Sequence, residues 1–138
     1  MTDAEFLSAF EAGDIAAPSH AAHVRAAYAL LGQCAFAEAL PRLAAALRRI
    51  AAAAGRPERY HETITVAYLA LIQQHVDERG PADGWDNFAR FNPELLDRRL
   101  LERFYPPQVL ESPQARRIFL LPHVRLAAKP GAESPGSR

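Results

Sequence analysis

The chain has 138 residues, with 16 basic and 16 acidic side chains and a formal net charge of zero. A length inside the ~100–200 residues of a single core points to one domain that folds without disulfides or a structural metal. Charge balance gives no electrostatic reason to expect nucleic acid or an anionic membrane as partner. The single Cys34 excludes an internal disulfide and any multi-cysteine metal site.

Hydrophobic residues make up 49% of the chain, but no apolar run approaches the ~18 residues of a membrane span. The acidic, amphipathic start MTDAEFLSAFEAGD lacks the basic and apolar regions of a signal peptide. A cytoplasmic location is expected.

Ala, Leu, Arg and Glu dominate, all strong helix formers, and period-two runs of β-branched residues are missing. The first predicted helix covers residues 3–12, where Phe6, Leu7 and Phe10 recur at helical spacing. Pro18 and a capping Ser19 start a second near His20, running to Gly32. A third covers 36–54, closed by Gly55 and Pro57, with Pro41 predicting a late start or a slight kink. In the fourth, 60–78, the residues His61, Ile64, Tyr68, Leu71 and His75 form one stripe. A short piece at 85–91 precedes a predicted helix over 93–104. The remainder is punctuated by prolines, with Ser112-Pro113 as cap and first residue of one short helix. Its apolar positions, from Val109 to Leu121, read as a strap over the bundle. The expected architecture is all-α: a four-helix-bundle-like single domain over 1–126 with short extra helices, a C-terminal Pro-rich strap and a disordered tail at 127–138.

Short turns make consecutive helices antiparallel neighbours, so the second and fourth should run parallel with their N-termini at one end. Three of the five histidines belong to those N-termini. His20 and His23 are spaced i, i+3 and share a face; His61 and Glu62 open the fourth helix. Inward side chains on facing helices are how bundle-core metal sites are built, and neutral imidazole suits Zn, Fe, Cu or Ni. The expected centre is a divalent metal on His20, His23 and His61, with Glu62 as fourth ligand or general base beside metal-bound water. One step is weak. At 1.5 Å per residue, His61 falls a turn or more below His20 unless the 55–59 loop climbs back.

Tyr60 and Arg25 are further catalytic candidates, Arg25 as a contact for an anionic substrate. Glu62 in a first turn also complements the helix dipole, and arginines such as Arg25 commonly pair with surface acids. Tyr60 and Tyr68 are candidates to line a pocket, although Tyr68, on the apolar stripe, reads first as core with its hydroxyl at an edge. His75, near a helix C-terminus, reads as structural or exposed, and His123 would add a ligand or an acid/base group if the strap returns across the bundle mouth. No P-loop, dinucleotide fingerprint or G-x-S-x-G is present.

The segments SHAAHVRAAYALL, PERYHETITVAYLALI and FYPPQVLESPQARRIFLLPH resemble a family of small, mostly uncharacterised bacterial helical proteins with H-x-x-H-V/L and Y-H-E-T motifs. The likeness covers residues 4–126 and places His20, His23, Tyr60, His61, Glu62 and Thr63 at motif positions. Where members often carry P-D, this chain has Pro122-His123. More distantly the chain is similar to DinB-like bundles, whose three-histidine sites bind divalent metals with a different spacing. Three functions follow as expectations: a metal-dependent enzyme (hydrolase, lyase or oxygenase-type) acting on a small-molecule substrate; a metal-free acid/base or ligand-binding protein; and a non-enzymatic homodimeric module packed through the Ala-rich third helix.

Overall fold

The caps written into the sequence start the helices of the computed structural model, which describes residues 1–122; His123 and the predicted tail lie outside the described residues. Thr2 Oγ1 accepts from the Glu5 amide (3.1 Å) and Glu5 returns the bond to the Thr2 amide (2.8 Å), opening α1 (Asp3–Ala12). Gly13 closes it in the left-handed conformation at φ 82°. Ser19 caps α2 (His20–Gln33) by accepting from the Ala22 amide at 3.2 Å. Next come α3 (Phe36–Ala53), α4 (Glu62–Arg79) and the short α5 (Trp85–Phe91), α6 (Pro107–Leu110) and α7 (Pro113–Arg117). The protein is all-α, with no β-strand among the described residues.

α2 is the central helix. It touches α1, α3 and α4, and Val24, Ala26, Ala27 and Leu30 are all buried. The alanines bring backbones close, while Phe10, Leu43, Leu69 and Ile72 fill the space around them. On the far side Tyr28 stacks on Phe88 at 4.5 Å and tilts against Trp85 at 5.9 Å. The tryptophan thus pins α5 to the bundle, and its backbone amide donates to Asp3 (3.1 Å).

α3 starts at Phe36, as its predicted range has it, and carries Pro41 within it without a late start. Two local expectations are corrected. α4 begins at Glu62, two residues later than its periodicity suggests, because His61 is its cap: His61 Nδ1 accepts from the Ile64 amide at 3.1 Å. The predicted helix over 93–104 is two 3-10 turns, Pro93–Leu96 and Leu100–Arg103. Two carbonyls of this stretch also accept from distant side chains, Asp97 O in addition to its local bond from the Leu100 amide (3.1 Å). Leu95 O accepts from His20 (3.1 Å) and Asp97 O from the Tyr68 hydroxyl (2.8 Å), while the Asp97 carboxylate turns back onto the Arg99 amide (2.9 Å).

The strap packs on α4, with its backbone held by side chains. His61 Nε2 donates to Leu110 O (2.6 Å). Thr63 Oγ1 donates to Ile118 O (2.8 Å) and accepts from the Leu120 amide (3.1 Å), and the Tyr105 hydroxyl donates to Leu120 O (2.7 Å). α4 is therefore covered on two sides. Thr65, Leu69 and Ile72 are buried on the bundle side, one residue round from the predicted stripe, and Thr63 is buried under the strap.

Candidate functional site

The N-terminal halves of α2 and α4 do lie side by side, and what they bring together is narrower than the sequence suggests. His20 and His23 open onto a small cavity of about 70 Å³ between α2, α3 and α4, lined also by Ile64, Thr65 and Tyr68. The His20 ring meets the Tyr68 ring edge-on at 5.1 Å, and the His23 ring meets Phe10 edge-on at 5.9 Å. Aliphatic groups of Val24, Leu43, Leu47 and Ile72 complete the wall.

His61 is not part of this group. Tyr68, seven residues further along α4, stands opposite His20, which puts His61 about 10 Å away along the helix axis at 1.5 Å per residue. The weak step in the helix arithmetic is where the expected convergence fails: the 55–59 connection, with its 3-10 turn Pro57–Arg59, does not lift His61 to the level of His20. Both His61 nitrogens are also occupied, Nδ1 as helix cap and Nε2–H as donor to the strap. Among the described residues no group of three or more His, Cys, Asp or Glu side chains is placed to hold a metal ion. The three histidines therefore do not fit a single metal centre as they stand.

The remaining candidates also separate. Tyr60 donates its hydroxyl to Glu62 Oε1 (2.7 Å), and Arg48 sits over the Tyr60 ring at 4.1 Å and 3.8 Å from the same carboxylate. These three form a cluster joining α3 to α4, away from the cavity. Burial and the bond to Glu62 raise the Tyr60 pKa. Arg25 points to the other end of α1: it pairs with Asp3 (3.0 Å), donates to Met1 O (3.1 Å) and covers the Phe6 ring at 4.4 Å. It holds the N-terminus in place. His75 donates Nδ1–H to the buried Asn92 (2.8 Å), which also accepts from Arg79 (3.0 Å).

The electrostatics favour uncharged imidazoles in the cavity. Burial lowers the His20 pKa, partly opposed by its bond to Leu95 O. Burial also lowers that of His23, and the neighbouring His20 charge adds to the effect. His20 Nε2 must carry its proton, because its partner is a carbonyl. His23 Nε2 has no hydrogen-bond partner and almost no solvent exposure, alone in this among side-chain atoms of the described residues. Such an atom calls for an explanation, since a buried polar group without a partner costs about 1–3 kcal/mol.

Tyr68 lines the cavity, one of the two roles its sequence position allowed, whereas Thr65 and the Leu95 carbonyl were not foreseen as parts of this site. The only signal for Tyr68 is its place on the His61 stripe; nothing local marks Leu95. Burial pushes the Tyr68 hydroxyl pKa up to about 12, so it is a permanent donor to Asp97 O. Tyr68→Phe is expected to cost about 0.5–1 kcal/mol for this surface-side bond and to leave the ring against His20, read as a lower urea midpoint at unchanged slope.

The chain was compared with protein-family models, with characterised proteins and with solved structures, and none of them matches it.

Proposed function

We propose that the protein binds a small molecule in the cavity between α2, α3 and α4, using the neutral imidazoles of His20 and His23 and no metal ion. The observation that carries this reading is the cavity itself, which two half-buried histidines line on one side and aliphatic groups on the other. His23 Nε2 has no partner within the protein, and a turn of the ring toward the cavity would let a ligand polar group relieve the cost of leaving it bare. The chemistry within reach of such a site is proton transfer. A neutral imidazole shielded from water acts as general base, and its conjugate acid returns the proton. Tyr68 and His20 fix one wall through their backbone partners at Asp97 and Leu95, which keeps the reacting group in one geometry.

The test uses protein purified without a histidine tag, scanned by thermal shift against a metabolite collection with and without a chelator. Compounds that bind here raise the Tm of the wild type, lose that effect in His23→Leu, and keep it under chelation. A response that requires Zn, Fe, Cu or Ni ions would replace this reading with the metal-dependent enzyme expected from the sequence. A response undiminished in His23→Leu would place the site elsewhere.

A further inference from the structure

The lining of the cavity divides by depth. Val24, Ala27, Leu43, Thr65 and Ile72 are buried and form its floor, while His20, His23 and Tyr68 are half-buried and stand at its rim. The floor offers a guest no hydrogen bond. Its one polar side chain, Thr65, spends its hydroxyl on His61 O (2.8 Å). At the rim, His20 Nε2 and the Tyr68 hydroxyl are committed to backbone carbonyls, and His23 Nε2 is shut off from water as it stands. A water on the floor would lack the several polar partners that hold one in place, so the floor stays dry. The volume of about 70 Å³ is roughly half of the ~150 Å³ that holds benzene in an apolar cavity. A group of about three carbons fills such a space, and a phenyl ring does not fit.

Resting on the binding function proposed above, we infer that the bound molecule enters hydrocarbon end first. A branched alkyl group, isopropyl in size, seats on Leu43 and Ile72, and the polar part of the ligand stays at the rim with His20, His23 and Tyr68. Each methylene taken out of water tightens binding ~4-fold. A polar group carried to the floor loses its hydrogen bonds to water and finds none, which weakens binding roughly 5–150-fold. The site therefore selects its substrate by the aliphatic end and leaves the polar end on the imidazole side.

The test uses full-length protein carrying ¹³C-labelled methyl groups of Ile, Leu and Val, into which xenon, isobutanol and glycerol are titrated. Isobutanol carries an isopropyl group on a short polar end; glycerol is similar in size and polar throughout. Xenon and isobutanol should give saturable shifts of the Leu43 and Ile72 methyls, and glycerol none at ~10-fold higher concentration. Ile64→Phe, which fills the cavity, should abolish both shifts. Ile72→Val deepens the floor by one methylene and should move the preference from isobutanol to 3-methyl-1-butanol, read at Leu43. An unchanged preference in folded Ile72→Val would overturn the seating on the floor. Glycerol binding as tightly as isobutanol would overturn the apolar end and leave the binding function standing. Xenon binding without isobutanol would show a sealed void and overturn the inference. If no probe moves the Leu43 or Ile72 methyls, the cavity admits nothing and the proposed binding function falls with it.

Discussion

Thr63→Val should lower stability by about 2–4 kcal/mol, because two backbone groups lose their partner at once. The Thr63 side chain is fully buried and serves Ile118 O and the Leu120 amide simultaneously. Valine keeps the shape and branching of threonine, so the change isolates the hydroxyl from packing. Each freed backbone group bears a desolvation cost of about 1–3 kcal/mol if it stays buried. For a chain of this size the loss corresponds to a Tm roughly 10 °C lower. Limited proteolysis should cut the variant around residues 111–121 well before α1–α4. A Tm within ~2 °C of wild type, with an unchanged cleavage pattern, would show that Thr63 does not hold the strap.

The second large effect is a loss of stability on mild acidification. Burial is the first cause lowering the pKa values of His20, His23 and His61, and at His61 the nearby Arg116 charge acts in the same direction. Each is therefore harder to protonate in the folded chain than in the unfolded one, where it titrates near ~6.5. The unfolded state takes up these protons first, so stability is complete above about pH 6.5 and is lost as pH falls through the folded values. The limiting slope is ~1.4 kcal/mol per pH unit for each histidine. His23 and His61 dominate, with the more accessible His20 contributing less. Protonating His61 has a structural consequence as well: imidazolium cannot accept the Ile64 amide, and it places a positive charge at the N-terminus of α4. Urea midpoints at pH 7.5, 6.5 and 5.5 should fall between the last two, and His23→Leu should remove one proton's worth of slope. A flat profile from 7.5 to 5.5 would refute the assignment.

Helix existence was legible in the chain because it rests on local signals: Thr2, Ser19 and Gly13 act within a few residues of themselves. The break at Asp97 was not, because it depends on His20 and Tyr68 reaching across from other helices. The same distinction divides the candidate site. The i, i+3 spacing of His20 and His23 is a property of one helix and survives intact. Placing His61 beside them needed the height at which a loop re-enters the bundle, which residue spacing does not encode. The Y-H-E-T segment straddles a helix start, where consecutive side chains no longer follow the 3.6-residue rule. Tyr60 and Glu62 face Arg48 on α3, while His61 and Thr63 face the strap. Four adjacent residues that look like one catalytic cluster are the joint between two parts of the fold.

That joint ties together positions 55 residues apart in the chain. Closing a loop of that length costs about 3.5 kcal/mol of configurational entropy beyond a constant term, comparable with what the two Thr63 bonds contribute. α1 to α4, joined by connections of a few residues, close against one another at far smaller entropic cost. On closure entropy alone, the bundle of near neighbours is favoured to form before the segment after Tyr105 closes onto it. The cavity between α2, α3 and α4 is lined entirely by residues between His20 and Ile72, so it lies within the part of the fold that short connections close.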